Sequence, residues 1–256
     1  MSDTQEVLVS VEDGVMTVII NRPEARNAAT KAVAEGIAAA MDELDSNNDI
    51  RVAIISGAGG TFCAGMDLKG FLKGEIPVVE GRGFAGVAEA PPKKPLIAAV
   101  EGYALAGGCE LALACDLIVA SEEAKFGISE VKRGLVAAGG GLLRLPRQIA
   151  PRLALEMALT GEPIDGKRAA EIGLANRAVP AGSALAEAKK LAALIVKNAP
   201  LALIASKRVM VEQQDWSTEE MFARQGEIVN PVFGTEDAQE GAVAFAEKRA
   251  PVWKSK

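Results

Sequence analysis

The sequence predicts an α/β fold followed by a helical region, on the basis of two patterns. Short β-branched apolar runs alternate with helical patterns over the first two-thirds of the 256-residue chain. From Ser183 onward almost every residue follows a helical pattern, and no strand pattern occurs. We therefore predict an α/β core over residues 1–182 and a C-terminal helical region over residues 183–256.

The predicted strands are short, apolar and bounded by turn residues. They lie at 16–20, 52–56, 96–100 and 117–120. Residues 70–94 are rich in Gly and Pro with weak periodicity, so we expect a loop or a short mobile helix there.

Helix ends are predicted from local signals. Thr30 begins a helical pattern, and Gly107 begins a second one that runs through residue 114. The run 139–141 leads into a helix ending near residue 149. Further helices should cover 151–161, with Pro at its first position and Gly as its terminator, and 165–173, with Asp as its cap. In the C-terminal region Pro200 and Pro231 should break the helical pattern.

Composition excludes several kinds of chemistry. The chain has no histidine, which removes Ser-His and Cys-His triads, histidine-ligated metals and imidazole acid–base catalysis. A net charge of -6 argues against a nucleic-acid partner. Three cysteines and the lack of a secretory signal or membrane span are typical of a cytoplasmic protein.

Three segments carry groups suited to chemistry at a carbonyl. Residues 62–69 read FCAGMDLK, where a Gly lets a backbone N–H approach a ligand closely. In residues 106–112, AGGCELA, paired glycines at a helix start leave N–H groups for a developing negative charge, and Glu110 follows in an apolar setting. Residues 125–130, KFGISE, place Glu130 twenty positions further on. Two carboxylates with raised pKa in one apolar pocket can act as a general acid and base.

Each segment also has a purely structural interpretation. The first can be a strand-to-helix turn that needs glycine, and Glu110 can be an acidic residue favoured by the helix dipole. Glu130 can be a surface carboxylate or part of a helix cap near Ser129. An unpaired carboxylate among Leu and Ala residues would be costly, which favours a functional role for Glu110.

Taken together, FCAGMDLK, ALAGGCELALACD and AKFGISEVKRG resemble the enoyl-CoA hydratase/isomerase, or crotonase, family. The resemblance covers nearly the whole chain, from about residue 7 to about residue 253. It implies a spiral of ββα turns with a C-terminal helical region that packs homotrimers, often paired into hexamers. It also implies an acyl-CoA or enoyl-CoA substrate, with coenzyme A as part of the substrate and no metal or redox cofactor.

The resemblance assigns roles to individual residues. The thioester oxygen would lie between the N–H groups of Met66 and Gly107. Glu110 would activate the water, and Glu130 would supply the Cα proton. An N–H near Ala138 would help place the water, although many hydratases carry Pro-Gly where this chain has Ala137-Ala138. The implied substrate- and coenzyme A-binding residues are Arg26, Ala64, Met66, Asp67, Leu68, Lys69 and Gly107.

Other functions stay open from the sequence. An isomerase that moves a double bond needs chiefly one carboxylate, so two glutamates favour a hydratase. Hydration is reversible, so a dehydratase of a hydroxyacyl thioester would have the same sequence features. A non-catalytic acyl-CoA-binding protein would be expected to lack the glutamates. A Rossmann dehydrogenase needs a G-x-G-x-x-G pattern in an N-terminal βαβ unit, which this chain does not provide.

Overall fold

The computed structural model describes residues 5–256, in which short strands alternate with helices up to residue 179 and helices follow. The strands are β1 Val7–Glu12, β2 Val15–Ile20, β3 Val52–Gly57, β4 Val78–Val79, β5 Gly83–Phe84, β6 Leu96–Val100, β7 Tyr103–Leu105, β8 Leu117–Ser121, β9 Lys125–Gly127, β10 Ile164–Asp165 and β11 Arg177–Val179. The helices are α1 Lys31–Ser46, α2 Leu68–Phe71, α3 Gly107–Leu113, α4 Gly141–Gln148, α5 Pro151–Thr160, α6 Gly166–Glu171, α7 Ala184–Val196, α8 Pro200–Glu212, α9 Met221–Phe233 and α10 Glu236–Glu247.

The main sheet has six strands in the order β1-β2-β3-β6-β8-β11. Strands β1 and β2 form an antiparallel pair, and all the other neighbours in this sheet are parallel. The central strands β3 and β6 are almost wholly apolar and buried. This is expected where helices cover both faces of a parallel sheet.

A second sheet of three strands, in the order β10-β9-β7, lies beside the main one. The chain leaves main-sheet strand β6 for β7 and then enters α3, and it leaves β8 for β9 in the same way. Each of these passes is one ββα turn, as the resemblance implied. The arrangement places the start of α3 and the segment after β9 on one side of the molecule.

Helices α1 and α7 pack on opposite faces of the main sheet. Val33, Ile37, Met41 and Leu44 of α1 are fully buried in one apolar cluster, as their spacing predicted. Three alanines of α7 pack against Val52, Ile54 and other buried residues on the opposite face of β3, β6 and β8, in a second cluster. Helix α7 therefore packs against the sheet, although it lies after the predicted boundary between residues 182 and 183. The division of the chain into these two regions stays a prediction.

Helices α8–α10 extend beyond this core and bury few side chains. One link back to it is Lys207, whose Nζ lies 2.6 Å from Asp116 Oδ2 and donates to the carbonyl of Pro92 at 2.7 Å. Burial raises the pKa of Asp116 and the charge of Lys207 opposes that rise. None of the helices in residues 5–256 is long and apolar enough to cross a membrane.

Most predicted elements are confirmed. All four predicted strands exist, Thr30 caps α1, Pro151 begins α5, and Gly161 ends it in the left-handed region at φ 64°. Asp165 caps α6 by accepting from the N–H of Arg168.

Two predictions need correction. Pro231 lies inside α9, in its last turn, so it does not break a helix as predicted. The prediction for Pro200 is confirmed, since α7 ends at Val196 and Pro200 begins α8 at its first position. Pro200 fits there because the N–H it lacks would have had no partner in the helix. Residues 70–94 are only partly a loop, since they also hold the end of α2 and the β4–β5 hairpin.

Candidate active site

The centre of the candidate site is the start of α3, directly after β7. Ala106 precedes the helix at φ 51° and donates its N–H to the carbonyl of Gly127 at 2.8 Å, which ties it to β9. A Cβ on Gly108 would overlap the carbonyl of Cys63, so only glycine lets α3 approach that segment. The paired glycines thus serve packing as well as exposing amides.

Gly65 brings a second backbone segment to the same place. Its φ of 105° favours glycine, and its Cβ position would lie 3.4 Å from the amide nitrogen of Gly107. The next residue, Met66, lies between two hydrogen bonds to Ala29. The N–H of Ala29 donates to the carbonyl of Gly65 at 2.7 Å, and the carbonyl of Ala29 accepts the N–H of Asp67 at 2.9 Å. The predicted partners Met66 and Gly107 are therefore on adjacent backbone segments.

Neither of those two amides donates a backbone hydrogen bond within the part of the chain that the structure describes. Gly107 is the first residue of α3, where an N–H has no partner inside the helix. An N–H at a helix start, such as that of Gly107, carries part of the positive end of the helix dipole and can donate to a negatively charged oxygen.

Glu110 lies one turn into α3 and is only 3% exposed. Its Oε1 accepts the N–H of Gly141 at 2.9 Å. Burial is the largest cause that raises the pKa of Glu110 to about 7, and the charge of Glu130 adds to it. The amides of Gly141 and Gly139 and the charge of Arg144 oppose the rise. At neutral pH both protonation states of Glu110 are therefore populated.

Glu130 begins the short 3-10 turn Glu130–Arg133 that follows β9. It is half-buried, and its Oε2 has no hydrogen-bond partner among the described residues. Burial raises the pKa of this carboxyl, opposed by the charge of Arg133. Both glutamates thus have a raised pKa, and the charge of Glu130 contributes to the rise at Glu110.

The segment assigned to coenzyme A by resemblance forms one rim of the site. Ala64 donates its N–H to the carbonyl of Arg26 at 3.1 Å, and the Arg26 guanidinium lies 5.5 Å above the Tyr103 ring. Leu68 and Lys69 are exposed at the start of α2.

Asp67 has a structural use in the same rim. It caps α2 by accepting from Lys69 and Gly70, and it pairs with Arg22 at 3.0 Å. Desolvation raises the pKa of Asp67, but these hydrogen bonds and the charge of Arg22 outweigh it, so the pKa lies below its usual range.

Sequence reasoning did not identify three groups that shape the site. Gly141 holds Glu110 through its amide. The water-positioning residue expected from the resemblance, Ala138, is exposed and lies one position before Gly139–Gly141, the segment that approaches Glu110. Arg144 donates to the carbonyl of Ala88 at 2.5 Å and lies near Glu110. The Phe84 ring occupies the space that a Cβ on Gly107 would need. The glycine run 139–141 was the only sequence signal for any of these contacts.

Comparison with known proteins agrees with this geometry. The family model described as enoyl-CoA hydratase/isomerase matches residues 10–256. The chain belongs to the enoyl-CoA hydratase/isomerase family.

Individual members of that family match over 95% or more of their length. An enoyl-CoA hydratase of Mycobacterium tuberculosis is 43% identical, covering 96% of this chain and 95% of the relative. A carnitinyl-CoA dehydratase of Proteus mirabilis is 39% identical, covering 99% of this chain and 100% of the relative. The crystal structure of an enoyl-CoA hydratase from Mycobacterium marinum superposes with a TM-score of 0.97 at 54% identity, over 98% of this chain and 100% of that one. The crotonase-like fold expected from the motifs is confirmed.

Proposed function

We propose that this protein is an enoyl-CoA hydratase that adds water reversibly across the 2,3 double bond of an enoyl-CoA thioester. Its relatives carry out hydratase-type chemistry according to their names, which supports a hydro-lyase. The observation that carries the proposal is a pair of carboxylates with raised pKa, the buried Glu110 and the half-buried Glu130. It is joined by the amides of Met66 and Gly107, which donate no backbone hydrogen bond among the described residues.

The amides of Met66 and Gly107 would hold the thioester oxygen. Addition of water to the conjugated double bond moves an electron pair from the C=C bond onto that oxygen and forms an enolate. Fixed N–H donors stabilise the enolate more than the neutral thioester, so they lower the barrier. The Ala64–Lys69 segment and Arg26 would lie along the coenzyme A moiety.

The two glutamates would then exchange protons with water and substrate. Glu110, ionised, removes a proton from a water molecule whose oxygen bonds to Cβ. Glu130 enters the step protonated and gives its proton to Cα as the enolate collapses. Each cycle consumes one water, and a proton transfer from Glu110 to Glu130 restores the starting state. Amides and carboxylates suffice for these steps, so we propose no metal or redox cofactor.

Two alternatives are less well supported. An isomerase needs chiefly one carboxylate, whereas this chain has two with raised pKa, Glu110 and Glu130. A non-catalytic acyl-CoA-binding protein would have no use for two desolvated carboxylates, each of which costs stability. Dehydration of a 3-hydroxyacyl-CoA is the reverse of the proposed reaction and uses the same groups.

We further propose that the active form is a homotrimer or a hexamer. Large apolar side chains on α8–α10 support this: Phe222 and Phe233 are each 77% exposed and Phe245 is 87% exposed. Exposed apolar groups of this number mark an association surface.

A panel of thioesters tests the reaction. Loss of the conjugated absorbance is followed for 2-enoyl-CoA substrates of increasing chain length and for the enoyl thioester that a carnitinyl-CoA dehydratase would form. Parallel reactions with 3-enoyl-CoA detect isomerisation as a gain of absorbance. Hydration of at least one 2-enoyl-CoA is expected; gain of absorbance from 3-enoyl-CoA with no hydration would replace the proposal by an isomerase.

A further inference from the structure

Phe84 lies between the two halves of the candidate site. Its ring tip occupies the position that a Cβ on Gly107 would take, with Cε1 2.7 Å from that position. Its own Cβ lies 3.2 Å from the Cβ position of Gly139, which in turn lies 2.8 Å from Glu110 Oε2. The side chain therefore runs alongside the space between the Gly107 amide and the Glu110 carboxylate.

The backbone around Phe84 is held in place. A Cβ on Gly86, at φ 70°, would overlap the carbonyl of Ala34, so this turn packs directly against α1. Phe84 O accepts the N–H of Ala88 at 3.1 Å, and Ala88 O accepts the Arg144 guanidinium at 2.5 Å. Arg144 thus connects the segment carrying Phe84 to α4, which begins at the residue that holds Glu110. These contacts fix the backbone that carries Phe84, so the ring stays next to Gly107.

We propose that Phe84 is the specificity-determining residue that limits the size of the group on Cβ of the substrate. This inference rests on the proposed function, because it assumes that the thioester oxygen binds at the Gly107 amide and that the attacked Cβ lies beside Glu110. The Cβ substituent then meets the Phe84 ring. A methyl group fits beside the ring, whereas an aryl group must displace it from its packing on Gly107. A change of one methylene in an apolar pocket alters kcat/KM by roughly 10–200-fold, so a whole ring should have a large effect.

Two conjugated substrates distinguish the cases: crotonyl-CoA, with a methyl group on Cβ, and cinnamoyl-CoA, with a phenyl group there. The quantity measured is kcat/KM for cinnamoyl-CoA divided by that for crotonyl-CoA. Phe84→Ala should raise this ratio at least about tenfold over the unsubstituted protein. Phe84→Leu, which keeps an apolar side chain but removes the ring tip, should raise it less. Leu72→Ala, at a residue of the same segment that is 85% exposed, is the matched control and should leave it unchanged.

A ratio that stays the same or falls in both Phe84 variants would overturn the inference. If Phe84→Ala does not fold, Phe84→Leu decides the outcome by the same criterion. Binding of the saturated analogues butyryl-CoA and 3-phenylpropanoyl-CoA, measured by calorimetry, separates the two proposals. A protein that hydrates no enoyl-CoA contradicts the proposed function, whereas an unchanged ratio of the two dissociation constants in Phe84→Ala contradicts the role of Phe84.

Discussion

The pocket at the start of α3 and the C-terminal helices α8–α10 place charged and apolar groups in opposite ways. In the pocket, burial raises the pKa of Glu110 to about 7. On α10, hydrogen bonds from Arg249 lower the pKa of the partly exposed Glu240 to about 2. The apolar residues differ as well, since those around Glu110 are fully buried whereas Phe222 and Phe245 of the C-terminal helices face outward.

This difference indicates what each region is built for. A desolvated carboxylate destabilises the folded chain, so it is retained where proton transfer needs it. The exposed phenylalanines of α8–α10 are what the proposed association would cover. The comparison is therefore tested by changing each region separately and measuring turnover, assembly and stability.

The largest effect is expected from the glutamates. Glu110→Gln and Glu130→Gln each remove one proton-transfer group, so kcat for hydration should fall by roughly 100–10,000-fold while acyl-CoA binding persists. Single-turnover absorbance and calorimetry measure the two quantities. Glu122→Gln, at an exposed glutamate after β8, is the matched control and should keep full activity. Near-normal turnover in either pocket variant would rule out the two-carboxylate mechanism.

The next effect is expected at the amide pair. Gly107→Val should lower kcat/KM by about 100–1,000-fold, since its side chain must displace the Phe84 ring and disturb the donor. Met66→Ala should change it little, because only the backbone N–H of Met66 is used. Equal losses in the two variants, measured as initial rates, would show that the Met66 side chain matters and that the assignment is incomplete.

The C-terminal helices should control assembly. Sedimentation equilibrium of the unsubstituted protein should give a trimer or a hexamer. Phe222→Glu combined with Phe245→Glu should shift it toward the monomer, because charge at a buried interface is costly. Glu110→Gln should leave the mass unchanged. A stable monomer of the unsubstituted protein at micromolar concentration would contradict the proposed role of this region.

The smallest effect is a gain in stability at the pocket. The folded pKa of Glu110, about 7, lies above its ordinary value of 4.5, so the folded state holds the extra proton between these values. Stability is therefore lost as pH rises from 4.5 to 7. Glu110→Gln lacks this loss and should be more stable at pH 8 by up to about 3 kcal/mol. At pH 4 the two proteins should differ little in urea unfolding, and an equal difference at both pH values would exclude desolvation as the cause.

The elements with local signals could be predicted from the sequence. Thr30 and Asp165 mark helix starts by accepting an N–H three residues further on, and Pro151 marks one by its fixed φ at the first position, so the neighbouring sequence is enough. Strand β1 was not predicted, because five of its six side chains are exposed and its apolar pattern does not distinguish two faces. Strands β7, β9 and β10 have at most three residues and exist only through pairing with distant segments.

The same distinction holds for the site. Glu110, Glu130, Met66 and Gly107 lie in motifs that resemble a known family, so they could be named in advance. The contact of Glu110 with Gly141 spans 31 residues, and that of Arg144 with Ala88 spans 56. Such contacts depend on how whole elements pack. For the same reason Phe84 could not be connected to Gly107 from the sequence, although both segments were recognised.

The most direct test of the account is a crystal structure with a saturated acyl-CoA bound. The thioester oxygen should lie about 2.7–3.2 Å from the N–H nitrogens of both Met66 and Gly107. Its Cβ should face Glu110 and its Cα should face Glu130. A thioester whose oxygen points away from these amides, or whose Cα and Cβ are out of reach of both carboxylates, would contradict the proposed mechanism.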